Sequence, residues 1–395
     1  MILIIFLILT EAISLVVLRQ HFFVTGRTRY HISLVAHFIL SIWFWVLMID
    51  VLGYGSFFDN PDNVWRFMAV AGMICAVILP RLLVIVVHFT GKWIKRKTGG
   101  HIRWLTNAGL AFSLFVLAVV GWGTLYGKLN FRYENVPVSI KGLNPELEGL
   151  KIVQISDLHL SGFYHHPEAL QHVVEKINSL NPDLIINTGD FITIGWREFG
   201  RNDTVLASAK GRYGNFAIMG NHDAGIYHPE FTPADIENHR LIMNNLVKAS
   251  GYNVLNDEST ILKIGTASIG LIGVTTSGRH PNIIHGDVKK AAEGLDSLDL
   301  QILLTHDPNQ WLEDVAGKYP EIKLTLSGHT HGMQLGIMTR WFKWSPSQYF
   351  YPHWNGLYRQ GDQLHYVNRG LGVLAIPFRI WMPPEITIIT LQSGD

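Results

Sequence analysis

The sequence predicts an α/β fold preceded by an N-terminal transmembrane region of four helices. Three observations carry that expectation. Apolar stretches crowd the first third of the 395 residues, while the remainder has the composition of a soluble α/β domain. Short apolar runs in that remainder read as strands covered on both faces. Each of five such runs is followed at once by a block of potential metal ligands. A chain of this length also exceeds one average domain.

The apolar stretches cover residues 1–17, 31–51, 67–88 and 104–126, each near the ~20 residues that cross a bilayer core as a helix. A cleaved signal peptide is the competing reading of the first. It lacks a positively charged start and carries Glu11, so four spans within residues 1–127 is the working count. Arg19, Arg27 and Arg29 lie in the first loop, and Lys92, Lys95, Arg96, Lys97 and Arg103 in the third. The second loop, around Asp59, Asp62 and Arg66, is nearly neutral. Positive loops face the cytoplasm, which puts both termini and the α/β domain on the extracytoplasmic side. Glu11 and Arg81 fall at similar depth in the first and third spans. A structural ion pair, or an arginine snorkelling towards the interface, is the favoured reading, with a polar site among the helices as the alternative.

Residues 128–149 read as a short connector, punctuated by Pro137 and Pro145, with an edge strand around 136–140. The domain proper runs from 150 to 395. Its strands are expected at 151–156, 183–187, 215–219, 301–304 and 322–326. They lead into Asp157-Leu158-His159, Gly189-Asp190, Gly220-Asn221-His222-Asp223, Thr305-His306-Asp307 and Gly328-His329-Thr330-His331. Ligands at the carboxyl ends of such strands converge on one edge of an open sheet. A lone histidine is more often a core or surface residue. Five ordered blocks make chance a poor explanation.

Composition excludes some functions. A net charge of +1 argues against nucleic acid as a partner, because backbone binding needs a concentrated basic surface. Cys75 is the single cysteine, so neither an intrachain disulfide nor a thiolate metal site can form.

The five blocks resemble the signature of the calcineurin-like metallophosphoesterase superfamily over roughly residues 150–391. The tail, with Val367-Asn368-Arg369-Gly370-Leu371-Gly372 and Pro384-Glu385-Ile386-Thr387, is similar to a bacterial membrane-associated branch. The resemblance implies a four-layer α/β/β/α sandwich and two divalent metal ions. Asp190 would bridge them, with Asp157, His159 and His331 completing one site and Asn221, His306 and His329 the other. Oxygen and imidazole ligands suit Mn, Fe or Zn, without choosing among them. His222 is implied as proton donor or transition-state stabiliser, and Asp223 as the carboxylate orienting it. Two metals would activate a hydroxide and neutralise the phosphoryl oxygens of a phosphate mono- or diester.

Softer signals surround these blocks. His165 and His166, which precede the amphipathic run 167–180, could bind substrate or simply open a helix; Arg369 suits phosphate by its bidentate guanidinium, with a structural contact to a carbonyl or carboxylate as the equal alternative. Arg279 and His280 lie in a loop after an expected strand at 268–274. The aromatic-rich segment 341–354 follows the last block and reads either as cleft rim and membrane interface, with Trp341, Trp344 and Trp354 near the lipid headgroups, or as a lid packed onto its own domain. The sequence thus points to a multi-pass protein of the bacterial inner membrane acting on a lipid-linked or membrane-proximal phosphoester. The alternative is a pyrophosphate hydrolase of the UDP-2,3-diacylglucosamine type. A non-catalytic sensor or scaffold is disfavoured, since no ligand is missing.

Overall fold

A computed structural model describes residues 2–23, 26–53, 60–99, 103–277, 280, 283, 285–295 and 297–394. Contacts divide the chain into two units: Met1–Phe57 with Arg66–Tyr126 and Ala375–Phe378, and Phe58–Trp65 with Gly127–Leu374 and Arg379–Asp395.

The first unit is helical. It comprises α1 (Ile2–Phe22), α2 (Arg27–Gly53), most of α3 (Pro61–Met73), α4 (Leu79–Thr98) and α5 (Arg103–Leu125). A π-helical turn, Ile74–Ile78, joins α3 to α4, and the Leu79 N–H reaches back to the Ile74 carbonyl. Pro80, which has no N–H of its own, follows directly. Among the described residues, four helical segments are long and apolar enough to span a bilayer: Ile2–Phe22, Arg27–Gly53, Pro61–Thr98 and Arg103–Leu129. Within the unit α2 packs on α1, α1 on α4 and α4 on α5. The two intramembrane charges meet: Arg81 pairs with Glu11, whose other oxygen takes Ser41 Oγ at 2.7 Å and His37 Nε2 at 3.0 Å. That is the structural pair favoured from sequence. Its mutual neutralisation offsets part of the cost of burying two charges in hydrocarbon.

The second unit is built on two six-stranded sheets. The strands are β1 (Arg132–Lys141), β2 (Lys151–Ile155), β3 (Leu184–Asn187), β4 (Asn215–Ala217), β5 (Asn253–Val254), β6 (Glu258–Ile264), β7 (Ala267–Gly273), β8 (Leu300–Leu304), β9 (Ile322–Ser327), β10 (Ile337–Met338), β11 (Lys343–Trp344), β12 (Gly356–Gln360), β13 (Gln363–Val367) and β14 (Glu385–Gly394). One sheet runs β1-β14-β2-β3-β4-β5 and the other β12-β13-β9-β8-β7-β6, with β10 and β11 as a small separate ribbon. Side chains alternate across each strand. Ile152, Leu184 and Ile186 of the first sheet therefore meet Ile302, Leu304 and Leu324 of the second in a shared core. Val153 and Ile185 face outward onto α6 (Pro167–Ser179) through Val173 and Ile177; Met243 and Val247 of the long Pro233–Ala249 helix join the same layer. Leu303 and Ile322 face outward onto Trp311 and Val315. The result is the expected α/β/β/α order.

Residues 128–149 are not a linker. β1 pairs in parallel with β14 along its whole length, from Arg132 opposite Glu385 to Lys141 opposite Gly394. The edge strand expected at 136–140 is thus ten residues long and belongs to the domain. Its alternation is diluted by polar residues on its exposed face, which is why the sequence shows only its middle.

Candidate metal centre

Each ligand block sits where its strand ends. β2 delivers Asp157 and His159, β3 Asp190, β4 Asn221 and His222, β8 His306, and β9 His329 and His331. The β2–β3–β4 and β8–β9 pairings are parallel, so these carboxyl ends share an edge within each sheet. The chain turns sharply there. Asp157, His159, Asp190, His329 and His331 all hold positive φ, between 42° and 73°. Side chains in this region cost about 1–3 kcal/mol each, strain that tends to gather where function over-determines the backbone. Gly220 admits the close approach, since a Cβ there would run into Asp190 Oδ1.

Two groups result. Asp157, His159 and His331 bring their ligand atoms within 4.8 Å of one another, and so do Asp190, His306 and His329. Asp190 Oδ2 stands between them, 3.1 Å from His306 Nε2 and 3.7 Å from His159 Nε2. His159 Nε2 lies 3.1 Å from His331 Nε2, and His329 Nδ1 lies 3.2 Å from His306 Nε2. Among the described residues, two buried oxygens here lack a hydrogen-bond partner: Asp190 Oδ2 and Asn221 Oδ1. Buried polar atoms are rarely left so. Cations shared between imidazole nitrogens and these orphaned oxygens would satisfy both. The donor set fits a divalent metal.

Neighbours fix the ligands' directions. His306 Nδ1 donates to the Thr188 carbonyl at 2.7 Å, leaving Nε2 to the centre. Asn221 Nδ2 donates to Tyr227 Oη at 3.0 Å, which turns Oδ1 inward. Tyr351 Oη meets His329 Nε2 at 2.7 Å, so Nδ1 is the nitrogen left for the centre. Such partners set tautomer and ring orientation. Burial opposes charge on Asp157 and Asp190, but the facing histidines outweigh it and hold both carboxyls well below their usual range. Burial likewise opposes a charge on His306, yet Asp190 and Asp157 overcome it and push the imidazole up to about 10. Burial, then His331, hold His159 neutral, far below the ordinary histidine value.

His222 lies beside this centre. Its Nδ1 donates to the Thr193 carbonyl at 2.6 Å, and its ring lies edge-on to His159 and against Tyr227. Asp223 does not orient it. That carboxylate is buried and accepts four backbone N–H groups, from Asp190, Phe191, Ile192 and Gly220, at 2.8–3.2 Å. Burial and the nearby Asp190 push its carboxyl up to about 8, against those four donors. Asp223 shapes the loops that carry Asp190 and Asn221.

Arg369 makes the structural contact, the second of the two readings its sequence position allows. Its guanidinium is buried, donating to Asn355 Oδ1 at 3.1 Å and Glu134 Oε1 at 2.7 Å. Nε faces Glu385 Oε2 at 2.9 Å, an ion-pair distance without hydrogen-bond alignment. Two carboxylates claim the charge, and no edge is left for a substrate phosphate. His165 pairs with Asp62 at 3.1 Å and meets Trp65 edge-on, and His166 approaches Glu168. Neither histidine contacts the metal-ligand groups among the described residues. Trp354 is buried rather than at a rim, its carbonyl accepting Thr330 Oγ1, whereas Trp341 is 86% exposed. Arg279 lies outside the described residues.

A cleft of about 540 Å³ opens beside the centre, lined by Asn221, His329, Tyr227, His280, Tyr349 and Tyr351. The aromatic segment therefore does reach the metal ligands, through its tyrosines rather than its tryptophans. Thr193, Tyr227 and Tyr351 are functional neighbours that sequence reading misses. Only the density of aromatics after the last block signals one of them.

The description "Calcineurin-like phosphoesterase" matches residues 150–333. The chain is 32% identical over 251 residues to the "Uncharacterized metallophosphoesterase YkuE" of Bacillus subtilis, covering 63% of this chain and 81% of that one. It is 31% identical to a "Transmembrane protein with metallophosphoesterase domain" of Danio rerio, over 88% of this chain and 80% of the other. It is also 29% identical to the "UDP-2,3-diacylglucosamine pyrophosphatase LpxG" of Chlamydia muridarum, over 62% and 84% respectively.

Proposed function

This chain belongs to the calcineurin-like phosphoesterase family, a metal-dependent hydrolase family, and on that premise we propose that it is a membrane-bound, two-metal phosphoesterase acting on a lipid or glycolipid headgroup. The observation that carries the reading is Asp190 Oδ2, unpartnered and set between the two histidine groups. Asp157, His159 and His331 would hold one divalent ion, and Asn221, His306 and His329 the other, with Asp190 common to both. When bound, the pair supplies a nucleophile at neutral pH and neutralises charge on the phosphoryl group. His222, with Nδ1 committed to Thr193, keeps Nε2 to hold or give a proton at the leaving oxygen. Asp223 keeps the Asp190 and Asn221 loops in register. Tyr227, Tyr349 and Tyr351 offer aromatic and hydroxyl surface to the part of the substrate that does not react.

Four candidate spans support a membrane-proximal substrate. The charge of the first and third loops supports an extracytoplasmic catalytic domain, which favours a phospholipid or glycolipid headgroup. A second reading has one specific support: a relative bears the name UDP-2,3-diacylglucosamine pyrophosphatase. Turnover by the purified full-length chain separates them. Phospholipid headgroup esters and UDP-2,3-diacylglucosamine are offered in parallel, with Asp190→Asn as control. Cleavage of the nucleotide-linked lipid alone would replace the first reading by the second. Cleavage of neither, by fully metallated protein, would reject both.

A further inference from the structure

The membrane unit contains a groove that shares no residue with the metal cleft. Its volume is about 410 Å³, within the ~300–1,000 Å³ of ordinary ligand sites. It lies among α1, α2, α4 and α5 and is almost wholly apolar, with Leu18, Ile32 and Leu117 among its walls. Among the polar residues that line it, three bear on what it could bind. Arg29 stands exposed at the start of α2 and has no acidic partner among the described residues. Deeper, the ion-paired Arg81 closes the groove on the α4 side. Ser14 faces the same space: it is 6% exposed, and its hydroxyl finds no hydrogen-bond partner among the described residues. The α4 wall includes the end of the π-helical turn, a feature often kept at functional sites.

We propose that this groove binds one acyl chain of an anionic phospholipid, with the phosphate at Arg29 and the hydroxyl of Ser14 available to an ester oxygen. Arg29 and His37 both line it and are eight residues apart on α2, about 12 Å along the axis at ~1.5 Å per residue. The site thus runs from one end of a span toward its middle, as a chain descending from a headgroup does. A second protein helix fits less well. An apolar helix would leave the Arg29 cation and the Ser14 hydroxyl without partners. A hydrocarbon chain is thinner, gains stability with every methylene it buries, and leaves the cation at the mouth for the phosphate.

Native mass spectrometry of the full-length protein, equilibrated with equal phosphatidylglycerol and phosphatidylcholine of identical chains, tests the site. The expected result is one tightly retained phosphatidylglycerol per chain, preferred about fivefold, the effect of one basic residue near an anionic headgroup. Arg29→Gln, an exposed change with little consequence for folding, should bring that preference close to one. Leu117→Trp should fill the groove and remove the retained lipid. A headgroup-blind, statistical distribution of lipids on the wild-type chain would overturn the proposal. So would retention unchanged in Leu117→Trp, or an unaltered preference in Arg29→Gln. A dimer that retains no lipid would assign the groove to a second copy instead.

Discussion

His306 carries the sharpest electrostatic consequence in the molecule. Before a cation arrives, Asp190 and Asp157 keep its imidazole protonated up to about pH 10, although burial opposes the charge. A metal bound to Nε2 must displace that proton. Metal affinity should therefore fall as pH falls, by roughly tenfold per unit for this one proton between about pH 9 and 7. Competitive titration against a chelator across that range measures the slope, and a flat profile would show that metal binding displaces no proton from His306. The roles of Asp190 and His222 separate by a different readout. His222→Ala should keep its metal content and lose about 10²–10⁴-fold in kcat, because Nε2 lies outside both ligand groups. Asp190→Ala should lose metal, since it removes a ligand from each. Elemental analysis alongside kcat distinguishes them, and wild-type turnover in His222→Ala on an ester with a poor leaving group would remove that residue from the chemistry.

At the scale of elements, the ligand order is legible in the sequence because each block is a fixed residue pattern ending an apolar run. Strand ends and ligand blocks coincide, from Asp157 after β2 to His331 after β9. What stays hidden depends on tertiary placement. Nothing local tells that Arg369 will face Glu134 from β1 and Glu385 from β14 rather than a phosphate. Nothing local tells that Asp223 will collect backbone N–H groups rather than an imidazole, or that Thr193 will hold two histidines through its carbonyl and hydroxyl. β1 shows only its middle, 136–140, for a related reason: an edge strand with a polar outer face gives little period-two signal towards its ends. Its importance is nonetheless structural, since it covers the edge of β14. A soluble fragment beginning at residue 128 should fold, whereas one beginning at 150 would bare that edge and aggregate. Size-exclusion chromatography of the two fragments decides; equal monodispersity would make β1 dispensable.

Across the whole molecule, a membrane unit and a catalytic unit are joined in one chain, and sidedness decides which substrates can be met. If loops bearing Arg19, Arg27 and Arg29, and Lys92 to Arg103, face the cytoplasm, a cysteine placed near Arg96 should resist a membrane-impermeant reagent in intact cells. One on the exposed catalytic surface should react. Cys75, the single native thiol, can be replaced first to give a clean background. The reverse labelling pattern would place the metal centre in the cytoplasm and favour a nucleotide-linked lipid. The central claim is two metals sharing Asp190 and acting on a lipid phosphoester. Its most direct test is turnover of a phospholipid headgroup ester by full-length protein reconstituted in the same bilayer, followed as divalent metal is added from zero to two equivalents. The account predicts little turnover at one equivalent and full turnover only as the second binds. Full activity at one equivalent, or none on any lipid ester at two, would contradict it.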